Sequence, residues 1–210
     1  MARDAYDFWL FDLDGTVVDV DPDYPRTIVS EIGDRLGHTF TDREAELLWY
    51  GVGGARGEVF ADRALSPDEF WETFHEVEDP RARAESSFVY EDAAEFVAGL
   101  DRPTGIVTHC QSYLTEPLLE YHDIADWFDT VVCCDDEVGW KPDPTPVELA
   151  MNRLGVGYNG HEGALVGDDP DDTGAAWNAG LDAVHVDRVD PVERGQCVLG
   201  DRRIDGLDEL

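Results

Sequence analysis

The chain has 210 residues, 42% hydrophobic and 10% aromatic, enough for one core or for one core with a small appended domain. Its 48 acidic residues against 15 basic ones give a formal net charge of -33, which excludes nucleic-acid backbones and anionic membranes as partners, since those require clustered Lys and Arg. Six Trp, nine Phe and a clear apolar periodicity exclude a disordered chain.

The acidity instead fits a solvated shell suited to high ionic strength, where the screening length falls to about 3 Å at molar salt. A halophilic cytoplasm is therefore expected. Residues 1–14, MARDAYDFWLFDLD, are too acidic for a signal peptide, and no apolar run approaches a membrane span. Cys110, Cys133, Cys134 and Cys197 show no CxxC spacing and read as free thiols of a reducing compartment.

In chain order, the first element is FWLFDL at residues 8–13, a nearly continuous apolar run of the kind buried on both faces of a parallel sheet. It ends in Asp12-Leu-Asp14-Gly15-Thr16, where Gly15 permits a sharp exit. From 17 to about 88 no strand signal appears. Ile28, Ile32 and Leu36 recur at helical spacing, as do Phe70, Phe74 and Val77. Thr41 to Glu44 and Ser66 to Glu69 read as capping boxes, and Gly51 to Gly57 as a glycine-rich loop carrying Arg56.

Strand and helix then alternate. Helices are expected over Ala93 to Leu100, Tyr113 to Tyr121, Pro146 to Leu154, with a capping box at Thr145 to Glu148, and Thr173 to Ala179. Short apolar strands are expected at Gly105 to Val107, Thr130 to Cys133, Ala164 to Val166 and Ala183 to Val186. The terminal GLDEL reads as a short docked helix. The pattern predicts an α/β fold, a three-layer Rossmann-like parallel-sheet core of residues 1–16 and 89–210, with a small α-helical cap domain over 17–88 inserted after the first strand.

Ligands of an open α/β sheet bind beyond the carboxyl ends of its strands. There the chain delivers Asp12 and Asp14, then Thr108 followed by His109, and the acids Asp168, Asp169, Asp171 and Asp172. In so acidic a chain such clusters mean little by count; their place directly after buried strands gives them weight, because desolvated carboxylates need a cation or a proton. A magnesium site is implied, since Mg²⁺ takes one or two carboxylates, waters and a substrate phosphate oxygen. Lys141, ahead of Asp143-Pro144, is the one lysine beside fourteen arginines. A compact ammonium with three donors suits a bridge between carboxylate and phosphate where a planar guanidinium does not. His38, His75, His122, His161 and His185 show no ligand spacing.

Taken in order, FDLDGTVVD, IVTH, GWKPDP and LVGDDPDDTGAAWNAG resemble the four motifs of the haloacid dehalogenase superfamily, over residues 6–16 and 89–187. The helical insert resembles the cap of its phosphoglycolate phosphatase-like subgroup. The resemblance implies Mg²⁺-dependent hydrolysis of a small phosphorylated metabolite through an aspartyl-phosphate, with Asp12 as nucleophile and Asp14 as general acid and base. It further implies Mg²⁺ held by Asp12, the Asp14 backbone carbonyl and Asp168, with Asp172 in support, and phosphoryl oxygens held by Thr108 and Lys141 with His109 beside them. Apart from the resemblance, Arg56 in the glycine-rich loop is a candidate for an anionic group on the substrate, the alternative being a surface arginine in a flexible loop. Asp14 argues against a dehalogenase, the lysine-free cap against a phosphonatase, and Leu13 against a P-type ATPase. A sugar phosphomutase and a non-catalytic binder on the same fold remain alternatives, and monomer or homodimer stays open.

Overall fold

The computed structural model describes residues 3–51, 53–157, 160–188 and 200–210. The chain divides into two compact units, residues 1–19 with 88–210, and residues 20–87.

The first unit contains a six-stranded sheet in the order β5-β4-β1-β6-β7-β8, formed by β1 (Phe8–Phe11), β4 (Thr104–Thr108), β5 (Thr130–Cys133), β6 (Gly163–Gly167), β7 (Asp182–Val186) and β8 (Arg202–Ile204). All its pairings are parallel. Helices α6 (Glu91–Val97), α7 (Ser112–Tyr121), α8 (Thr145–Leu154) and α9 (Pro170–Asn178) connect the strands. The α/β expectation is thus met by a parallel sheet with flanking helices.

Strand β1 shows why its sequence is apolar without alternation. Phe8 and Leu10 face one side of the sheet, in a core with Val147 and Ala150 of α8 and Ala175 and Ala176 of α9. Trp9 and Phe11 face the other, where Trp9 meets Phe96 of α6 edge-on at 5.1 Å and Phe11 meets Phe128 at 6.3 Å. Both faces are dry, so every position is hydrophobic.

The chain runs from β1 to β4 and β5 on one side, then to β6, β7 and β8 on the other, which places a topological switch point beside β1. Strand β8 was not foreseen from sequence. The terminal residues form a 3₁₀ turn, Leu207–Glu209, with Leu207 buried and its N–H donated to Asp92 in the first turn of α6. Residues 191–199 of the terminal segment, Cys197 included, lie outside the described residues.

The second unit is helical: α1 (Asp23–Leu36), α2 (Asp42–Tyr50), α3 (Gly53–Arg63), α4 (Pro67–Val77) and α5 (Pro80–Glu85). Its core holds Ile28, Ile32, Leu48, Phe60 and Phe70, with Phe70 ringed by Phe40, Phe60, Trp71 and Phe74 at centroid distances of 5.2 to 6.4 Å. Thr41 and Glu44 form the expected capping box of α2. Ser66 sits at the N-cap of α4 but its side chain makes no capping bond.

Two further expectations differ. The supposed loop over residues 51–57 is from Gly53 onward the first turns of α3, because burying Val59 and Phe60 in this core outweighs about 1 kcal/mol of helix propensity lost per glycine. The strand-free stretch in fact begins and ends in short strands, β2 (Val18–Val20) and β3 (Ser87–Val89), which pair with each other where the chain passes between the units. Three residues are too few for a period of two to register. No helix among the described residues is long and apolar enough to cross a membrane.

Candidate active site

Three adjacent strands, β4, β1 and β6, deliver their carboxyl ends to one place. Asp12 directly follows β1, where its N–H donates to Val166 of β6 at 2.8 Å. Thr108 closes β4 and Asp168 directly follows β6. Asp12, Thr108, Lys141, Asp168 and Asp172 are each less than a tenth exposed.

The centre of the arrangement is Lys141. Its Nζ donates to Asp12 Oδ1 at 2.7 Å, to Asp172 Oδ1 at 2.6 Å and to the Val107 carbonyl at 2.9 Å. An ammonium has three protons, and here three protein acceptors take them. Binding of a phosphoryl oxygen by Lys141 therefore requires one of these acceptors to share its proton.

Around the ammonium stand three carboxylates. One oxygen each of Asp12, Asp168 and Asp172 lies within 4.8 Å of the other two. Burial pushes the Asp12 carboxyl well above the usual carboxylate range; Lys141 pulls it down, while Asp172 and Asp168 add to the rise. Burial would also lower the Lys141 ammonium, but Asp12 and Asp172 outweigh it and hold the ammonium above its ordinary value. Both shifts run toward taking up positive charge, as three buried carboxylates against one cation require. Hard oxygen donors short of positive charge fit a divalent cation such as Mg²⁺.

The loop after Asp12 is compact. The Leu13 carbonyl accepts from the N–H groups of Thr16, Val17 and Val18, and the Gly15 N–H donates to the Val18 carbonyl. Asp14 sits half-buried within this loop, its carboxylate outside the three-acid group. Gly15 has φ of +78°, and a Cβ there would fall 2.6 Å from Asp168 Oδ2, so both conformation and space demand glycine.

The four acids of Asp168 to Asp172 divide their work. Asp169 is the N-cap of α9 and Asp172 its N3 partner, a reciprocal capping box in which Asp172 Oδ2 accepts the Asp169 N–H at 3.0 Å. Since Asp172 Oδ1 holds Lys141, this one carboxylate starts a helix and fixes the lysine. The D-x-x-D spacing was the sequence signal that could have revealed it. At Lys141 the expected Thr145 capping box is absent: Thr145 is already helical, and Asp143 accepts its N–H at 2.8 Å instead.

The Thr108 hydroxyl accepts from the Cys110 N–H at 3.0 Å and keeps its own proton to donate. His109 packs edge-on against Trp140, ring centroids 5.5 Å apart, and Trp140 is 41% exposed. Burial pushes the neighbouring Cys134 thiol up to about 11, so it stays neutral. Arg56 belongs to the helical unit, where Nε donates to the Leu48 carbonyl at 3.0 Å and Nη2 to the Trp49 carbonyl at 2.8 Å, tying α3 to the end of α2.

A family model described as haloacid dehalogenase-like hydrolase matches residues 7–180. The chain is 29% identical over 185 residues to the N-acetylmuramic acid 6-phosphate phosphatase of Pseudomonas putida, which covers 81% of this chain and 78% of that one. It is 28% identical over 188 residues to the phosphoglycolate phosphatase of Yersinia pseudotuberculosis, covering 83% and 78%. It is 32% identical over 177 residues to the pyrophosphatase PpaX of Bacillus velezensis, covering 81% and 78%. Among solved structures, the fold of a HAD phosphatase from Thermococcus onnurineus superposes with a TM-score of 0.67 at 24% identity, over 96% of this chain and 94% of that one.

Proposed function

The chain belongs to the haloacid dehalogenase-like hydrolases and is a phosphoric monoester hydrolase, and from that premise we propose a Mg²⁺-dependent phosphatase that works through a phosphoaspartate on Asp12. The observation that carries the reading is the buried group of Asp12, Asp168 and Asp172 around a fully engaged Lys141.

Lys141 fixes Asp12 by its Oδ1, so the second carboxylate oxygen is the one assigned to attack phosphorus. As that P–O bond forms, the bond to the ester oxygen breaks, and Asp14 gives the departing alkoxide its proton. Asp14 then takes a proton from water, whose oxygen attacks the same phosphorus, breaking the bond to Asp12 and releasing phosphate. Thr108 donates its hydroxyl proton to a phosphoryl oxygen, and Lys141 shares with another the proton now held by Val107, the uncharged one of its three acceptors. Asp12, Asp168 and the Asp14 carbonyl would hold Mg²⁺, with Asp172 behind Lys141; when bound, the ion supplies the charge that lets a phosphate dianion approach three carboxylates.

Substrate choice is assigned to the wall that His109 and Trp140 form beside Thr108. The relatives' names supply the first esters to try: phosphoglycolate, a sugar 6-phosphate and pyrophosphate.

The test is p-nitrophenyl phosphate hydrolysis in about 2 M KCl, with and without Mg²⁺. Turnover is expected only with the metal, falling on the order of 10³-fold or more in Asp12→Asn and about 10²-fold in Lys141→Arg. A folded wild type without turnover, or an Asp12→Asn variant that keeps it, would overturn the reading.

A further inference from the structure

Lys141 is not the only cation held inside the sheet-containing unit. The Arg188 side chain, two residues past β7, is 6% exposed. Its Nη1 donates to Asp92 Oδ2 at 2.8 Å and its Nη2 to the Thr16 carbonyl at 2.8 Å. Its guanidinium carbon lies 3.9 Å over the centre of the Tyr90 ring. Tyr90 is fixed in turn: its hydroxyl donates to Asp19 Oδ2 at 2.8 Å and its N–H to the Val17 carbonyl at 3.0 Å. Asp92 also accepts the Leu207 N–H, so the chain's last turn backs the same carboxylate.

We propose that Arg188 is a positioning residue for the Asp12 to Thr16 loop, and that through the Thr16 carbonyl it sets where Asp14 stands. The loop is clamped at three points. Leu13 is held by three N–H groups, Gly15 rests against the Asp168 carboxylate, and Thr16 is gripped from outside by Arg188. Asp14 lies between the first two of these points, two residues from the third. A displaced Thr16 moves Asp14, and misplacement of a reacting group by about 1 Å costs on the order of 10²-fold in rate. Arginine suits the place because its planar fork serves two acceptors while its face stacks on an aromatic ring, which an ammonium cannot do.

The inference rests on the phosphatase reading and makes a prediction that a merely structural cation does not. If Arg188 positions the acid that protonates the leaving group, its loss matters for a strongly basic leaving group and little for p-nitrophenolate, which departs without a proton. The experiment measures kcat/KM, which counts events only through release of the alcohol, for p-nitrophenyl phosphate and for a simple alkyl phosphate in wild type, Arg188→Met and Arg188→Lys. In Arg188→Met the alkyl ester is expected to lose about 10- to 100-fold and the p-nitrophenyl ester less than about 3-fold. Arg188→Lys, which keeps the charge and N–H donors but loses the planar fork, should recover part of the difference, and it carries the test alone if circular dichroism shows Arg188→Met unfolded. Equal losses on both esters, or a change in melting temperature alone, overturn the positioning role and leave the phosphatase reading standing. A wild type that hydrolyses neither ester removes both.

Discussion

Gly167 and Lys141 depend on each other through Asp172. A Cβ at Gly167 would fall 2.2 Å from Asp172 Oδ2, and one at Gly174 would fall 2.7 Å from the Pro142 Cβ. Gly167→Ala should therefore push the Asp172 carboxylate aside and take one of three acceptors from Lys141. A fall of about 10²-fold in turnover is expected, with about 1–3 kcal/mol lost in denaturant unfolding. Unchanged kinetics would mean that Asp172 yields without letting go of the lysine. The two residues were unequally legible beforehand. Lys141 stood out because nothing else in the chain shares its type. Gly167 is one of twenty glycines, and its demand shows only when another side chain occupies the place of its missing Cβ. The Val107 carbonyl had no signal at all, since every residue carries one.

Helix α2 starts where Thr41 and Glu44 cap each other, and Glu44 also receives Arg63 of α3 through Nε and Nη2 at 2.6 to 2.9 Å. The Thr41 N–H, then Arg63, hold the Glu44 carboxyl down at about 2. A carboxyl depressed on folding stabilises above its unfolded value of about 4.3 and loses that contribution as pH falls toward its folded one. Glu44→Gln should thus cost the helical unit about 1–2 kcal/mol at pH 7, a difference from wild type that closes between about pH 5 and 2. A gap that persists in acid would assign the effect to shape instead of charge. The capping box was readable because its residues are local; Arg63 was not, since nineteen positions separate it from Glu44. The same distinction explains the rest of the elements. Long apolar runs and helical periods announced β1, α1 and α4, whereas the three-residue strands β2, β3 and β8 exist only through their partners. Asp172 was legible as one acid in a cluster, yet its double engagement needed Lys141, 31 residues away.

At the scale of the molecule, a net charge of -33 is carried largely by side chains in water, with arginine used for pairing and stacking: Arg83 lies over Trp49, Arg63 over Phe40 and Arg188 over Tyr90. Repulsion on this scale loosens a compact state in dilute buffer and is screened at molar salt. The melting temperature followed by circular dichroism should rise from about 0.05 M to about 2 M KCl, where the screening length shrinks from more than 10 Å to less than 3 Å. Equal melting at both would remove the case for a high-salt setting. The same composition gives the buried ammonium another meaning. Lys141 is the one ε-amine in the chain, and as an ammonium it has no free lone pair: its three N–H groups donate to three acceptors buried at the carboxyl ends of the strands. An acylating reagent therefore meets an ε-amine here only during an opening of that part of the sheet. The rate at which that lysine is acylated therefore reports how much of the protein has its chemical centre open, so the chain carries its own gauge of that opening.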